Sequence, residues 1–183
     1  MRTMILCLGH ERLWSDDIAA RVGRILKVLP LPSPMIVRIV PRLDWDSVDA
    51  IADCDQTIVV DAMDSRQEPG TCFVEEASQD SAPTFRLYCR HRQMVNDIVE
   101  LDRLLATEGS RKRLVFIGVE GGGVRWDESH SDAASVSAVP LAVDSVLRSF
   151  GAEVALRKMV SLACARIESG DGTAASWQYQ GAA

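Results

Sequence analysis

The sequence predicts an α/β protein: a three-layer αβα sandwich with a mostly parallel, twisted central sheet. Short runs of apolar and β-branched residues alternate along the chain with longer segments whose apolar residues recur at helical spacing. The apolar runs lack the alternation of polar and apolar residues that marks a sheet with one wet face. Continuous apolar runs are expected for parallel strands that helices cover on both sides.

The predicted strands are runs of strand length that end at glycine, aspartate or a turn. Four are strongly apolar and a fifth is weaker; in chain order they are "TMILCLG", "MIVRIV", "QTIVVDA", "TCFVEE" and "RLVFIGVE". The third and fourth runs are separated by "SRQEPGT", in which Pro69 and Gly70 are a strong turn signal. A predominantly parallel order requires a connection across the sheet between most of the strands.

The predicted helices fill those connections. They are "SDDIAARVGRILKVL", "WDSVDAIADC", "HRQMVNDIVELDRLLA" and a later segment that contains "SAVPLAVDSVL". The third has the clearest apolar face, formed by Met94, Val95, Ile98, Leu101, Leu104 and Leu105. In the last helix, Pro140 must lie in the first turn or kink the helix, because proline cannot donate a backbone hydrogen bond.

Length and composition exclude several classes of protein. The 183 residues predict one α/β domain over residues 1–168 and a disordered tail over 169–183. The net charge of −6 argues against non-specific binding to nucleic acid, and no apolar run is long enough to span a membrane. The five cysteines form no C-x-x-C pair, and no signal peptide is recognisable, so we expect a reduced, cytoplasmic protein.

Three stretches predict a site at the carboxyl ends of the strands, where ligands bind in sheets of this kind. They are "GHERLWSDD" with Asp17, the end of the third strand at Asp61, and the start of the third helix at His91. Two carboxylates and an imidazole suit a divalent transition metal. Structural roles remain open for each: a first-turn carboxylate, a strand-end cap and a surface histidine.

Other residues are candidates for the same edge of the sheet. His10, His130 and Glu120 could join or border the site, and this stays open. The sequence has no P-loop, no G-x-S-x-G elbow and no H-E-x-x-H motif, and its glycine-rich "VEGGGVRW" lacks the G-x-G-x-x-G spacing. We therefore expect no organic cofactor.

The order of these stretches resembles the nickel–iron ([NiFe]) hydrogenase maturation endopeptidases. The matching segments are "LGHERLWSDDIAARV", "TIVVDAMDSRQEPGT", "YCRHRQMVNDIVELDRLL", "LVFIGVE" and "SAVPLAVDSVL", which together cover about residues 3–150. The resemblance implies a protease that removes a C-terminal peptide from the hydrogenase large-subunit precursor after nickel is installed. It also implies that Asp17, Asp61 and His91 recognise the nickel, which the substrate carries.

The sequence departs from the pattern of that family at three places. His10 stands where the family has asparagine, Ile18 stands where it has glycine, and "VPRLDWD" replaces the family's "DGGT" after the second strand. The third departure removes an aspartate that could act in catalysis, so no general base is assigned. Two alternatives follow: a non-catalytic relative that binds the precursor tail or a metal, and an unrelated α/β hydrolase or transferase.

Overall fold

The fold is known from a computed structural model that describes residues 1–9, 17–32, 34–77, 84–105, 112–121, 137–152 and 159–160. Within these residues the elements follow in the order β1 (Thr3–Leu8), α1 (Asp17–Val28), β2 (Met35–Val40), α2 (Trp45–Ala52), β3 (Gln56–Met63), β4 (Cys72–Glu76), a 3-10 turn (Thr84–Leu87), α3 (Arg92–Leu105), β5 (Arg113–Glu120) and α4 (Val139–Ser149). Each predicted strand has a counterpart, and so does each predicted helix named above.

The five described strands form one sheet in the order β2-β1-β3-β5-β4. Strands β2, β1, β3 and β5 are parallel to one another, and β4 lies antiparallel to β5 at the edge of the sheet. All residues of β1 and β3 are buried, whereas β4 alternates between half-buried and exposed residues. This difference follows from position, since central strands are covered on both faces and an edge strand is not. The predicted mostly parallel sheet is confirmed.

Two apolar cores lie on opposite faces of the sheet and account for the three layers. One core joins α1 and α4 to the sheet through residues such as Val22, Leu26, Val143 and Leu147. The other joins α2 and α3 to it through residues such as Ile51, Val95, Ile98 and Phe116. Burying a large apolar side chain stabilises a fold by roughly 1.5–3 kcal/mol, so these two cores hold the layers together.

Two details of the predicted helices need comment. The prediction that Leu104 lies on the buried apolar face of α3 is wrong: 81% of the residue is exposed, whereas Val95 and Ile98 are buried. Helical spacing predicts which residues share a face, but burial also requires a neighbouring element that covers the position. Pro140 lies in the first turn of α4, where its missing N–H is not needed. The predicted domain boundary at 168 and the predicted tail over 169–183 lie outside the described residues.

None of the helices in the described part of the chain has both the length and the apolar character that crossing a membrane requires.

Candidate functional site

The end of β3 is paired differently from the rest of the strand. β1 accompanies β3 only as far as the pair Cys7–Val60, but β5 accompanies it to Met63. Beyond the end of β1, residues 88–90 take its place. Met63 and Cys89 form an antiparallel bridge, which hydrogen bonds from Asp64 N to Tyr88 O (2.8 Å) and from Arg90 N to Ala62 O (3.0 Å) flank. This pairing brings His91 next to Asp61.

Asp61 and His91 are joined by two hydrogen bonds. The backbone N–H of His91 donates to Asp61 Oδ2 at 2.9 Å, and His91 Nδ1 lies 2.8 Å from Asp61 Oδ1. Oδ1 also accepts the backbone N–H of Ala62 at 2.8 Å. The Asp61 side chain is completely buried, and the His91 side chain is 16% exposed. Both carboxylate oxygens are therefore engaged, while the imidazole forms the accessible part of the pair.

The pKa of Asp61 reflects opposing effects. Burial is the largest, and it raises the pKa of the Asp61 carboxyl group above its usual value because the charged form loses its hydration. The hydrogen bonds and the charge of His91, with the Ala62 N–H, act in the opposite direction by favouring the carboxylate. The hydrogen-bond donors around both carboxylate oxygens thus offset the unfavourable free energy of burying Asp61.

The first turn of α1 lies at the same edge of the sheet. A Cβ atom built on Gly121 would lie 3.6 Å from the Met63 carbonyl oxygen and 3.9 Å from Ile18 Cδ1. Asp17 is the first residue of α1, immediately before Ile18. The amino terminus of α1, which carries the positive end of the helix dipole, is therefore beside the carboxyl ends of β3 and β5. The position of the Asp17 side chain lies outside the described structure.

Glu120 anchors the loop that follows β3. Only 1% of the residue is exposed, and Oε2 accepts hydrogen bonds from Ser65 N (2.8 Å) and Ser65 Oγ (2.5 Å). The loop continues into a tight turn closed by Thr71 N and Glu68 O at 3.0 Å. Gly70 has φ 89° in this turn, a conformation that favours glycine. Glu120 thus borders the edge that holds Asp61 by fixing its loop.

A groove of about 390 Å³ opens beside this loop. Its apolar wall includes Met63, Phe73, Phe85 and Tyr88, and its polar positions include Ser65 and Glu75. Met63 is two residues after Asp61, and Tyr88 is three residues before His91, so the same two segments form the groove and hold the pair. A lining that is mostly apolar with a few polar groups is usual for a binding site.

The structure brings together two of the three predicted site residues, Asp61 and His91. In the described part of the chain, no group of three or more histidine, cysteine, aspartate and glutamate side chains is arranged to hold a metal ion. The prediction that Asp17 completes such a group stays a prediction. His10 and His130, the other two candidate histidines, lie outside the described residues.

Sequence reasoning missed how His91 reaches Asp61. The bridging segment, residues 88–90, has only Tyr88 and Cys89 as apolar residues, too short a run to predict a strand. It also missed Ser65 as the partner of Glu120, because a lone serine in a turn carries no signal of what it will contact. The register of β3 and β5, which pairs Met63 with Glu120, explains why the loop and the glutamate meet.

Solved structures of other proteins share this arrangement of elements. An endopeptidase from Escherichia coli is 21% identical, with a TM-score of 0.66, over 84% of this chain and 96% of its own. The hydrogenase maturating endopeptidase HybD from E. coli is 21% identical, with a TM-score of 0.62, over 82% of this chain and 94% of its own. The nickel–iron hydrogenase maturation protease HybD from Thermococcus kodakarensis is 18% identical, with a TM-score of 0.59, over 81% of this chain and 99% of its own.

The chain has the fold of the hydrogenase maturation endopeptidases. The resemblance predicted from the order of the motifs is thereby confirmed at the level of the fold. No protein-family model matches the sequence, and no curated protein does. At identities near 20%, the likeness extends to the arrangement of strands and helices, and the assignment of an activity requires the geometry of the site.

Proposed function

We propose that this protein is a hydrogenase maturation protease, an endopeptidase that removes a C-terminal peptide from the nickel-loaded large-subunit precursor of a nickel–iron hydrogenase. The observation that supports this most directly is the contact between Asp61 and His91, 2.8 Å apart at the carboxyl edge of the sheet. These are the two residues at which the resemblance places recognition of the substrate's nickel. Asp17, at the first residue of α1, is the third.

In this proposal the chain holds its substrate at two places. The nickel bound in the precursor docks at the edge formed by Asp17, Asp61 and His91, and the tail that will be removed lies along the neighbouring groove. Docking the ion next to the protease orients the scissile bond and favours attack by water, a template role for a metal. A precursor that lacks nickel lacks one of these two contacts and is left uncut.

Processing of a precursor by the purified protein tests the proposal. Nickel-loaded and nickel-free precursor are incubated separately with the protein, and mass spectrometry of the large subunit measures loss of the tail. We expect loss of a C-terminal peptide from the loaded precursor only. Equal cutting of both forms, or of neither, contradicts the proposal.

Single substitutions test the residues of the site. Asp17→Asn, Asp61→Asn and His91→Ala are each expected to abolish processing while the circular dichroism spectrum stays that of the wild type. Asp97→Asn is a matched control, because it also removes one carboxylate, but from the exposed side of α3, where Asp97 accepts a hydrogen bond from Gln93. If two of the three site variants cut like Asp97→Asn, the site is elsewhere.

A specific feature also favours a second candidate, a non-catalytic relative that binds the tail or a metal. The segment that replaces "DGGT" after β2 contains Asp44, whose Oδ1 accepts the Ser47 N–H at 2.8 Å as the N-cap of α2. Of the two aspartates in this segment, Asp44 therefore begins the helix and Asp46 lies in its first turn. Tight binding of nickel-loaded precursor without loss of its tail is the result that selects this candidate.

A further inference from the structure

We propose that the tail of the precursor binds as an added β-strand along the outer edge of β4, the side of that strand that faces away from β5. The inference rests on the proposed function, because the occupant is the same C-terminal tail. It adds the mode of recognition. The backbone of the tail pairs with the backbone of β4, and every second side chain of the tail enters the neighbouring groove, as in other cases of strand addition.

Every second residue of β4 directs its backbone groups away from the sheet. Just before and just after β4, Glu120 N donates to Thr71 O and Ala77 N donates to Leu114 O, each at 2.8 Å. In an antiparallel pair the bonded residues alternate, so the odd positions of β4 face β5 and the even positions face away. The residues at the even positions are Cys72, Val74 and Glu76. In the part of the chain that the structure describes, no strand lies beyond β4.

The side chains of β4 leave this edge accessible to a further strand. The sequence CFVEE contains neither proline nor lysine, the residues that commonly block pairing at an exposed edge. Glu75 is held inside the molecule by the N–H groups of Thr84 and Phe85, at 2.8 and 2.7 Å. Glu76 forms an ion pair with an arginine of β5. Val74 is 56% exposed, so the edge combines outward backbone groups with an apolar side chain.

The groove reaches this edge, because Val74 and Glu75 are part of its lining. Its other lining residues include Phe73 and Phe85, which pack in the core under α2 and α3, and the exposed Tyr88. Successive side chains of an extended strand point to opposite faces of a sheet. Every second side chain of an added strand therefore points towards the groove, and the lining favours apolar residues at those positions of the tail.

The candidate site fixes the direction of the tail. Asp61 pairs with Gly118 of β5, and Gly118 pairs with Phe73 of β4, so these three residues lie side by side. Adjacent strands are about 4.8 Å apart, which places an added strand roughly 14 Å from β3. About four or five extended residues span that distance. From Phe73, β4 runs away from the carboxyl edge of the sheet. A tail that leaves the scissile bond at that edge therefore runs parallel to β4.

Hydrogen–deuterium exchange of single backbone amides tests the inference. Nickel-free precursor is the probe, because in the proposed function it carries the tail and is left uncut. In the protein alone, we expect the N–H groups of Cys72, Val74 and Glu76 to exchange faster than those of Phe73 and Glu75, which face β5. At a precursor concentration about ten times the Kd, exchange of the three outward groups should slow about tenfold, because they exchange only in the free protein. The same subunit without its tail should leave them unprotected.

A proline substitution adds a second readout. Val74→Pro removes the central outward N–H, a change that an edge strand tolerates, and its ring obstructs a paired strand. We expect the Kd for nickel-free precursor to rise about tenfold. Val37→Pro is the matched control at the opposite edge of the sheet. There, bonds from β1 to Pro34 O and Val40 O show that even positions of β2 face β1, so Val37 faces away. Val37→Pro should bind as the wild type does, and circular dichroism checks that both variants fold.

Several results overturn the inference: unchanged exchange at the three outward groups in the complex, equal protection by the subunit without its tail, or wild-type affinity of Val74→Pro. Protection that rises with the concentration of the protein alone also overturns it, because a second copy then occupies the edge. If Val74→Pro does not fold, the exchange pattern of the wild type decides. Protection by the tail in a protein that cuts no nickel-loaded precursor contradicts only the proposed function, whereas nickel-dependent cutting without protection of the edge contradicts only this inference.

Discussion

Position 61 places a carboxyl group in a strand whose residues are all buried. Such a residue opposes folding, since burial of an acid is unfavourable unless its oxygens are hydrogen-bonded. Here the compensation comes from His91, which is 30 positions away in the sequence, and from the N–H of the adjacent Ala62. A buried acid that is held by several hydrogen-bond donors is typical of a functional position. An apolar residue at the same place would stabilise the core more.

On the adjacent strand β5, Gly118 pairs with Asp61. Because glycine has no side chain, Met63 and Phe85 can pack against this position. A Cβ atom built on Gly118 would lie 1.8 Å from Met63 Sδ and 2.6 Å from Phe85 Cε2. These contacts are too short for any real carbon atom, so Met63 and Phe85 would have to move. Both side chains are buried in the core under α2 and α3, and Phe85 stacks on Phe116 with ring centres 5.1 Å apart.

We therefore expect Gly118→Ala to lower the free energy of unfolding by about 1–3 kcal/mol, the usual effect of overpacking a core. Urea denaturation followed by circular dichroism measures this. Gly121→Ala is the control: its added Cβ would have no neighbour closer than 3.5 Å, so its stability should stay close to that of the wild type. Equal stability of the two variants would show that the space beside Gly118 is not needed.

At the scale of elements, the loop between β3 and β4 is held by one buried side chain. Glu120 receives both the N–H and the hydroxyl of Ser65, and its backbone receives the N–H of Gly70 at 2.9 Å. The loop therefore packs against the end of β5 at both of its ends. This arrangement keeps the walls of the groove in place and fixes the direction in which the chain leaves Asp61.

Ser65→Ala should lower the free energy of unfolding by about 1–3 kcal/mol, because the buried Glu120 carboxyl loses a hydrogen-bond donor. Thr71→Ala is a matched control in the same loop. Its hydroxyl donates to the Glu68 carbonyl at an exposed position, where water can replace it, so a change within about 0.5 kcal/mol is expected. Denaturant titration of both variants decides the matter; a larger loss for Thr71→Ala than for Ser65→Ala would refute the anchoring role of Glu120.

The elements were predictable to the extent that their signals are local. The continuous apolar runs of β1, β3 and β5 predicted buried parallel strands, and Pro69 with Gly70 predicted the turn. The end of β3 was not predictable, because its partner there is residues 88–90, which pair with it only through tertiary contacts. Leu104 shows the converse error, in which helical periodicity includes a residue that the tertiary structure leaves exposed.

At the scale of the whole molecule, the candidate site combines residues that only the topology brings together. The parallel order of β1, β3 and β5 places the start of α1 and the ends of the strands at one edge, as sequence alone predicted. That prediction could identify Asp61 and His91 as neighbours. It could not give the geometry of the pair, because the complete burial of Asp61 and the atoms through which it contacts His91 depend on the tertiary structure.

Free thiols link the packing of the whole molecule to pH. Burial raises the pKa of the Cys7 thiol from 9.0 to about 12, against a smaller opposing effect of Lys27. Burial, followed by the nearby Asp61 carboxylate, raises the pKa of the Cys89 thiol to about 12. Cys7 lies in the core under α1 and α4, and Cys89 lies in the core under α2 and α3, so the two thiols report on opposite faces of the sheet.

We expect the stability that these thiols contribute to be fully present below about pH 9 and to fall as the pH rises towards 12. In that range the unfolded chain releases thiol protons that the folded protein retains, so alkali favours unfolding. Urea midpoints measured from about pH 8 to about pH 11 should fall less steeply for the double variant Cys7→Ala, Cys89→Ala than for the wild type. Ile98→Val, which weakens the core without touching a thiol, should lower the midpoint and keep the wild-type slope. If the double variant and the wild type have the same slope, the buried thiols are not the groups that couple stability to alkaline pH.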